Sequence, residues 1–378
     1  MLVKLSMKNF KSFVEKTIVD LNATGYEILS NINKTPDEIL KGAVFVGGNA
    51  TGKTTVIRAL RFLLELLVWQ SDVQLFEYKS FYSNLQDRME LEYEFRINNS
   101  YIKYFLETDN DRILKESLLQ DEKQVLVRMN NSAEYTDNNN NKIEIEKLEK
   151  NQSAIRKIYF DTRFVDNEEL KEWFEFLKES VYIDQAKKVV MCANQEKQSR
   201  NYFEKDGKYE FNKFLNEINY DQTIDYVDGY KNKNMQFNFQ NRKEVVVIRK
   251  DMNVGLPMAM ESEGNQTLVE VLPQILQAVK KNCMVIIDEF SSAFHNLLEE
   301  KLIKYFMENS NRSQIFIVSH STNLLSNTLL RPDQIYTVDY IVNKGSKLNR
   351  VSDSGPREAQ NLEKMYLSGV FNGLPNIK

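Results

Sequence analysis

The turn Gly47-Gly48-Asn49-Ala50-Thr51-Gly52-Lys53-Thr54 fits the pattern G-x4-G-K-[ST]. It follows the apolar run Gly42-Ala43-Val44-Phe45-Val46 and opens a stretch in which Val56, Ile57, Leu60, Leu63, Leu64 and Leu67 recur at helical spacing. A glycine turn can match such a pattern by chance, but a buried strand before it and a helix after it are the context the motif requires. Glycines let successive backbone N–H groups point into one concavity, and the helix start adds about half a positive charge, so the expected occupant is a chain of phosphates. Lys53 is expected to reach the β- and γ-phosphates of a nucleotide and the Thr54 hydroxyl to hold Mg²⁺, while Gly47, Gly48, Asn49, Ala50, Thr51, Gly52 and Thr55 line the rest.

Further along, Cys283-Met284-Val285-Ile286-Ile287 ends in Asp288-Glu289. Two acids at a strand end are usually solvated turn residues; behind a phosphate loop they read as an acid for the Mg²⁺ shell (Asp288) and one that orients the attacking water (Glu289). His320 ends the next apolar run, Gln314–Ser319, and is expected to donate a hydrogen bond near the γ-phosphate, unless it is a structural strand-end histidine. His295 either reaches across a dimer interface or caps the following helix. Ser262 and Gly264, in Glu261-Ser262-Glu263-Gly264-Asn265-Gln266, precede a helix; such a segment is usually only a helix start, but could be a second phosphate-binding one.

These residues need elements to hold them. Val3, Leu5 and Met7 alternate with polar neighbours as in a half-buried strand, a second strand covers Thr17–Leu21, and antiparallel strands are expected over 89–106 and 123–129 with a polar tip at Asn138–Asn141. The pattern turns helical and charged from about 150 to 220, and strands resume near 234–239 and 244–248. The last third alternates helix (Thr267–Lys280, interrupted at Pro273), strand (Met284–Asp288), helix (Leu297–Asn309) and strand (Gln314–Ser319), which implies a parallel sheet with crossover helices.

The composition narrows the class. The 378 residues carry 50 basic and 54 acidic side chains, a net charge of −4, so no global positive field points to nucleic acid. Two cysteines are too few for a disulfide framework or a cysteine-based zinc site, and with no signal-peptide block and no long apolar run the expected location is cytoplasmic, without a membrane span. Two histidines exclude any site built on three.

The order Asn9-Phe10-Lys11-Ser12-Phe13, phosphate loop, Ser262-Glu263-Gly264, Ile287-Asp288-Glu289, His320 resembles that of ABC-type ATPases of the RecF/SMC-like branch. Asp288-Glu289-Phe290-Ser291-Ser292-Ala293-Phe294-His295, Ser319-His320-Ser321-Thr322-Asn323-Leu324-Leu325 and the tail Asn361–Gly369 with Gly373-Leu374-Pro375 resemble the stand-alone prokaryotic AAA/ABC ATPases related to the overcoming-lysogenization-defect proteins, found in abortive-infection systems of the AbiL and RloA kinds. The chain departs from these patterns in its S-E-G-N-Q signature and in Phe294 and Asn296, and Gln86 is a weak candidate for the glutamine loop. No nuclease-like acidic cluster follows His320.

The resemblance implies an α/β ABC-type ATPase head, with a mixed central sheet carrying the phosphate loop, an antiparallel β-subdomain and a helical insertion. Residues 1–150 would form the first part of the head, 151–233 a mainly helical arm, and 234–378 the rest. It further implies an ATPase in which two heads sandwich ATP, each sealed by the partner's Ser262–Gly264 segment, regulating a separate nuclease or toxin in antiphage defence. The alternative is a RecF-like DNA-binding maintenance ATPase. That reading would put Lys187, Lys188, Lys197, Arg200, Lys205, Lys208 and Lys213 in a basic groove, although interleaved acids suit a solvated face better.

Overall fold

A computed structural model describes residues 1–69, 73–84, 86–193, 199–205, 207–228, 243–250, 255–292 and 294–374. The strands are β1 (Leu2–Lys8), β2 (Thr17–Asp20), β3 (Gly42–Gly47), β4 (Met89–Ile97), β5 (Ser100–Thr108), β6 (Ile113–Gln120), β7 (Lys123–Met129), β8 (Ser132–Thr136), β9 (Lys142–Ile145), β10 (Val181–Asp184), β11 (Val189–Cys192), β12 (Gln222–Asp228), β13 (Lys243–Arg249), β14 (Leu256–Pro257), β15 (Met284–Asp288), β16 (Gln314–Val318), β17 (Ile335–Ile341) and β18 (Gly345–Arg350). The α-helices are α1 (Ser30–Asn33), α2 (Lys53–Leu64), α3 (Ala154–Thr162), α4 (Glu168–Lys178), α5 (Ser199–Glu204), α6 (Gly207–Glu217), α7 (Glu263–Lys280), α8 (Asn296–Asn309) and α9 (Leu362–Leu367).

One sheet, in the order β2-β1-β4-β5-β6-β7-β8-β9, is antiparallel throughout. Burial alternates residue by residue along β4 and β5, the mark of a sheet with one face on the core. The inner face packs on α4 through Trp173, whose ring lies 5.7 Å from Phe95 and 6.0 Å from Tyr104.

The second sheet, β11-β10-β15-β16-β3-β17-β18, has five parallel strands between two antiparallel edges. β3, β15 and β16 are buried at every position, as strands covered on both faces must be. Alternate residues divide between two cores. Phe45, Ile286 and Phe316 face α2 and the antiparallel sheet, whereas Val46, Ile287 and Ile317 face α7 and α8. A small antiparallel sheet, β12-β13-β14, completes the described residues.

Within the stretch 151–233, expected as a mainly helical arm, the described residues include parts of both the core and the central sheet. α3 and α4 complete the core beneath the antiparallel sheet, and β10 pairs in parallel with β15 inside the central sheet. The strand was hidden because Val181-Tyr182-Ile183-Asp184 is only four residues long and sits between charged helices. The expected strand at 234–239 lies outside the described residues. α7 starts four residues earlier than expected, at Glu263, and runs through Pro273 without a break, eleven of its residues buried. Packing there outweighs the lost N–H and the ring's crowding of the preceding turn.

Candidate functional site

The tips of β3, β15 and β16 lie side by side, so the residues just past each strand end share one edge of the sheet. After β3 the chain turns through Gly47–Gly52 into α2. Gly52 has φ +107°, and a Cβ there would collide with the Ser12 and Ser346 hydroxyls, so the turn requires glycine. Ser346 Oγ donates to the Thr51 carbonyl (2.5 Å) and lies within hydrogen-bond distance of the Ser12 hydroxyl (2.7 Å), tying the turn to β18 and the β1–β2 connection. From the other side Gly48 N donates to the Gly373 carbonyl (2.9 Å) in the tail. Lys53 Nζ spans the concavity to the carbonyls of Gly47 and Gly48 (3.0 and 2.7 Å).

The cleft beside this turn has a volume of about 570 Å³ and is lined by Ser12, Asn49, Ala50, Gly52, Lys53, Thr54, Thr55, Glu289 and His320. Thr54 Oγ1 donates to Asp288 Oδ1 (3.0 Å), and the Tyr182 hydroxyl donates to Oδ2 (3.2 Å). His320 Nε2 stands 3.3 Å from Glu289 Oε2. Thr51 and Thr55 are buried, Thr51 Oγ1 donating to the Gly48 carbonyl (3.0 Å) and Thr55 accepting from Ser12 (3.3 Å). Phosphate-loop residues, Asp288, Glu289 and His320 therefore meet at one place.

The electrostatics are unbalanced. Burial pushes the Asp288 carboxyl above its ordinary value, and the neighbouring Asp184 and Glu289 push the same way against the Thr54 and Tyr182 hydroxyls. Burial lowers the Lys53 ammonium, opposed by Glu289 and Asp288. Oxygen donors are what Mg²⁺ takes, usually one or two carboxylates or hydroxyls completed by phosphate oxygens and water. Asp288 and Thr54 fit that role, since a divalent cation would add to the single Lys53 ammonium beside the carboxylates of Asp184, Asp288 and Glu289. Among the described residues no group of three or more His, Cys, Asp or Glu could hold a metal unaided.

Glu289 has φ +57°, a left-handed conformation that a glutamate adopts only under constraint. The constraint is Gln185, the residue after β10. With its amide oriented to satisfy its neighbours, Nε2 donates to the Glu289 and Phe290 carbonyls (3.0 and 2.9 Å), and its own N–H reaches the Asp288 carbonyl (3.2 Å). Gln86 is exposed in the loop before β4, outside the cleft. The signal for Gln185 was the apolar run just before it; with β10 unread, the glutamine at its tip could not be placed.

Ser262 and Gly264 do not line the cleft. Ser262 caps α7, accepting from Asn265 N (3.4 Å), and is exposed. His295 caps α8, its Nδ1 accepting from Leu297 N (3.3 Å). No described helix is long and apolar enough to cross a membrane.

Residues 43–326 match the family described as "AAA domain, putative AbiEii toxin, Type IV TA system". No curated protein matches the sequence. Among solved structures, an SMC head bound to the C-winged helix domain of ScpA is similar at TM-score 0.51 and 13% identity, covering 92% of this chain and 96% of that one. The SMC head domain from Thermotoga maritima gives TM-score 0.49 and 15% identity over 92% and 97% of the two chains. An SMC head from Pyrococcus furiosus, bound to the C-terminal domain of ScpA, gives 0.49 and 13% over 92% and 95%. Because the family match runs from β3 to beyond the His320 turn, well over half the chain, the protein belongs to this AAA-domain family, and its α/β fold is that of an ABC-type ATPase head.

Proposed function

We propose that this protein binds and hydrolyses ATP, and that hydrolysis controls the pairing of two copies. The observation that carries the reading is the convergence of Lys53, Thr54, Asp288, Glu289 and His320 at the tips of three adjacent strands. In this reading the backbone N–H groups of residues 50–55 and the Lys53 ammonium hold the phosphates. Thr54 and Asp288 would hold Mg²⁺, which when bound neutralises charge on the phosphate oxygens. Glu289 orients a water for in-line attack on the γ-phosphorus, and His320 donates a hydrogen bond to the phosphoryl group. The water oxygen becomes part of inorganic phosphate, and ADP leaves with the bridging oxygen.

Ser262 is exposed at the start of an 18-residue helix and outside its own protomer's cleft. That position suits a residue that closes the nucleotide site of a second copy, and ATP then drives pairing to the extent that it binds the closed pair more tightly than the open one. The finer role we assign, regulation of a separate nuclease or toxin in prokaryotic antiphage defence, rests on the abortive-infection resemblance of the Asp288–His295 and Ser319–Leu325 segments. The DNA-binding alternative finds less support. Of the seven basic residues named for that groove, Lys187, Lys188, Lys208 and Lys213 each pair with a carboxylate, those of Asp184, Glu263, Asp225 and Glu217, and Lys197 and the Arg200 side chain lie outside the described part of the structure.

Steady-state ATP turnover by the purified chain, alone and with DNA or RNA, tests the proposal. Slow turnover that is indifferent to nucleic acid and lost in Lys53→Ala is expected. Turnover unchanged in Lys53→Ala would refute the assignment of the cleft, and turnover rising steeply with one nucleic acid would favour the alternative.

A further inference from the structure

α8 begins just past His295, and in its first turn Glu299 points beneath the loop that carries His320. The Glu299 side chain is sealed from solvent, at 0% exposure, and neither of its carboxylate oxygens has a hydrogen-bond partner. A buried charge without partners is strongly disfavoured, so such a group holds its proton to unusually high pH. Its neighbour is Ser321, the residue after His320. The Ser321 hydroxyl donates instead to Asn323 Oδ1, and its N–H donates to Ser319 Oγ (2.9 Å).

The same short turn is held at two other points by carboxylates that do have partners. Thr322 Oγ1 donates to Glu363 Oε1 (2.7 Å) on α9, and Asn323 Nδ2 donates to Glu300 Oε1 (3.4 Å) on α8. Ser321 thus has a choice of acceptor, the Asn323 amide oxygen or the Glu299 carboxylate, and only an ionised Glu299 competes well for its proton. The choice bears on the cleft because Ser321 adjoins His320, whose N–H donates to Ser291 Oγ (3.1 Å) and whose Nε2 faces Glu289.

We propose that Glu299 is a proton-dependent positioning residue for His320. Carrying a proton, it leaves Ser321 on Asn323 and His320 opposite Glu289; ionised, it draws the Ser321 hydroxyl to itself and shifts the turn. Burial pushes the Glu299 carboxyl up to about 7 and the Glu300 charge adds to it, while the nearby Ser321 hydroxyl acts against it as the donor that an ionised Glu299 would recruit from Asn323. Among the described elements packed on α8, α7 carries Glu263, Glu270 and Lys280, α6 carries Lys208, Glu210, Lys213 and Glu217, Lys41 donates to the Met307 and Ser310 carbonyls at the far end of the helix, and α1 and the Phe290–Ser292 turn carry no charged side chain. The loop beyond β16 brings His320, and α9 brings Glu363. Of all these and α8's own charges, Glu300 is the one that bears on Glu299. The catalytic consequence rests on the ATPase reading above; the proton equilibrium does not.

Infrared titration of the protein without nucleotide tests the equilibrium directly. The wild type should lose a buried protonated-carboxyl band across about pH 7, and Glu299→Gln should lack that band. In parallel, the His320 imidazole resonance, assignable because the chain has two histidines, should carry an extra inflection near that pH in the wild type only. If Glu299→Gln folds poorly, Ser321→Ala serves instead, and it should move the band's loss to higher pH. In turnover, the wild type should fall about tenfold between roughly pH 6 and 8 while Glu299→Gln stays level. A band that survives in Glu299→Gln, a wild type without it at about pH 6, or the same pH profile in both proteins would overturn the proposal. If the band and resonance behave as expected but neither protein hydrolyses ATP, the ATPase reading fails and the proton-dependent positioning stands.

Discussion

Glu116 in the antiparallel sheet and Asp288 at the tip of the parallel sheet are both carboxylates hidden from solvent, and they are surrounded in opposite ways. Glu116 accepts from the Tyr104 and Ser153 hydroxyls (3.0 and 2.6 Å) and from the backbone N–H groups of Ala154 and Ile155 (2.7 and 3.2 Å) at the start of α3. The buried Arg128 guanidinium lies 3.5 Å away. Asp288 has two hydroxyls, and its charged neighbours Asp184 and Glu289 repel it. One region spends its buried charge on holding the chain together and is complete in itself. The other keeps negative charge short of partners where the phosphate loop opens, as expected of a place completed by a ligand.

That contrast can be broken by mutation. The largest effect on activity should come from Lys53→Ala, which removes the ammonium facing the acids. Turnover at low ATP should fall about 10²- to 10³-fold or more with the melting temperature little changed, as paired activity and thermal-denaturation measurements would show. The largest effect on stability should come from Glu116→Ala. It leaves Arg128 buried without its carboxylate and α3 without its acceptor, a loss of about 3–5 kcal/mol measurable by denaturant titration. A small loss there would mean that the antiparallel sheet is not held as described.

Gln185→Ala should sit between the two regions. It frees the Glu289 and Phe290 carbonyls, so about 1–3 kcal/mol of stability and a larger share of turnover should go together. Glu299→Gln should raise stability at alkaline pH. The folded carboxyl is raised from 4.5 to about 7, so between those values the native state holds a proton the unfolded chain has lost. Stability therefore falls with rising pH across that window, and the glutamine variant should lack the fall. Tyr182→Phe should be the mildest, at about 0.5–1.5 kcal/mol, with its effect seen in the Mg²⁺ concentration needed for half-maximal turnover.

Much of the site was legible because its parts are local. Gly47–Thr54 carries its own strand and helix, and Met284–Asp288 is a run of apolar residues ending in acids, so period and punctuation suffice. His320 was legible for the same reason, at the end of Gln314–Val318. Gln185 and Tyr182 were not, because they belong to a four-residue strand whose identity depends on pairing with β15, more than a hundred residues away. β6, β8 and β9 were missed likewise: the alternation in Ile113–Gln120 is broken by a bulge, and β8 and β9 are five and four residues long. Nothing in the sequence distinguishes Glu299 from the other charges in the helical stretch Leu297–Asn309. Only the packing of α8 beneath the His320 turn makes it a buried acid.

The central claim is that the cleft at the strand tips is an ATPase site whose occupancy pairs two copies. Its most direct test is the mass in solution of the Glu289→Gln protein with and without ATP and Mg²⁺. Binding without turnover, with a shift from one copy to two when nucleotide is added, is the predicted result. A variant that stays monomeric with ATP bound at saturation would contradict the account.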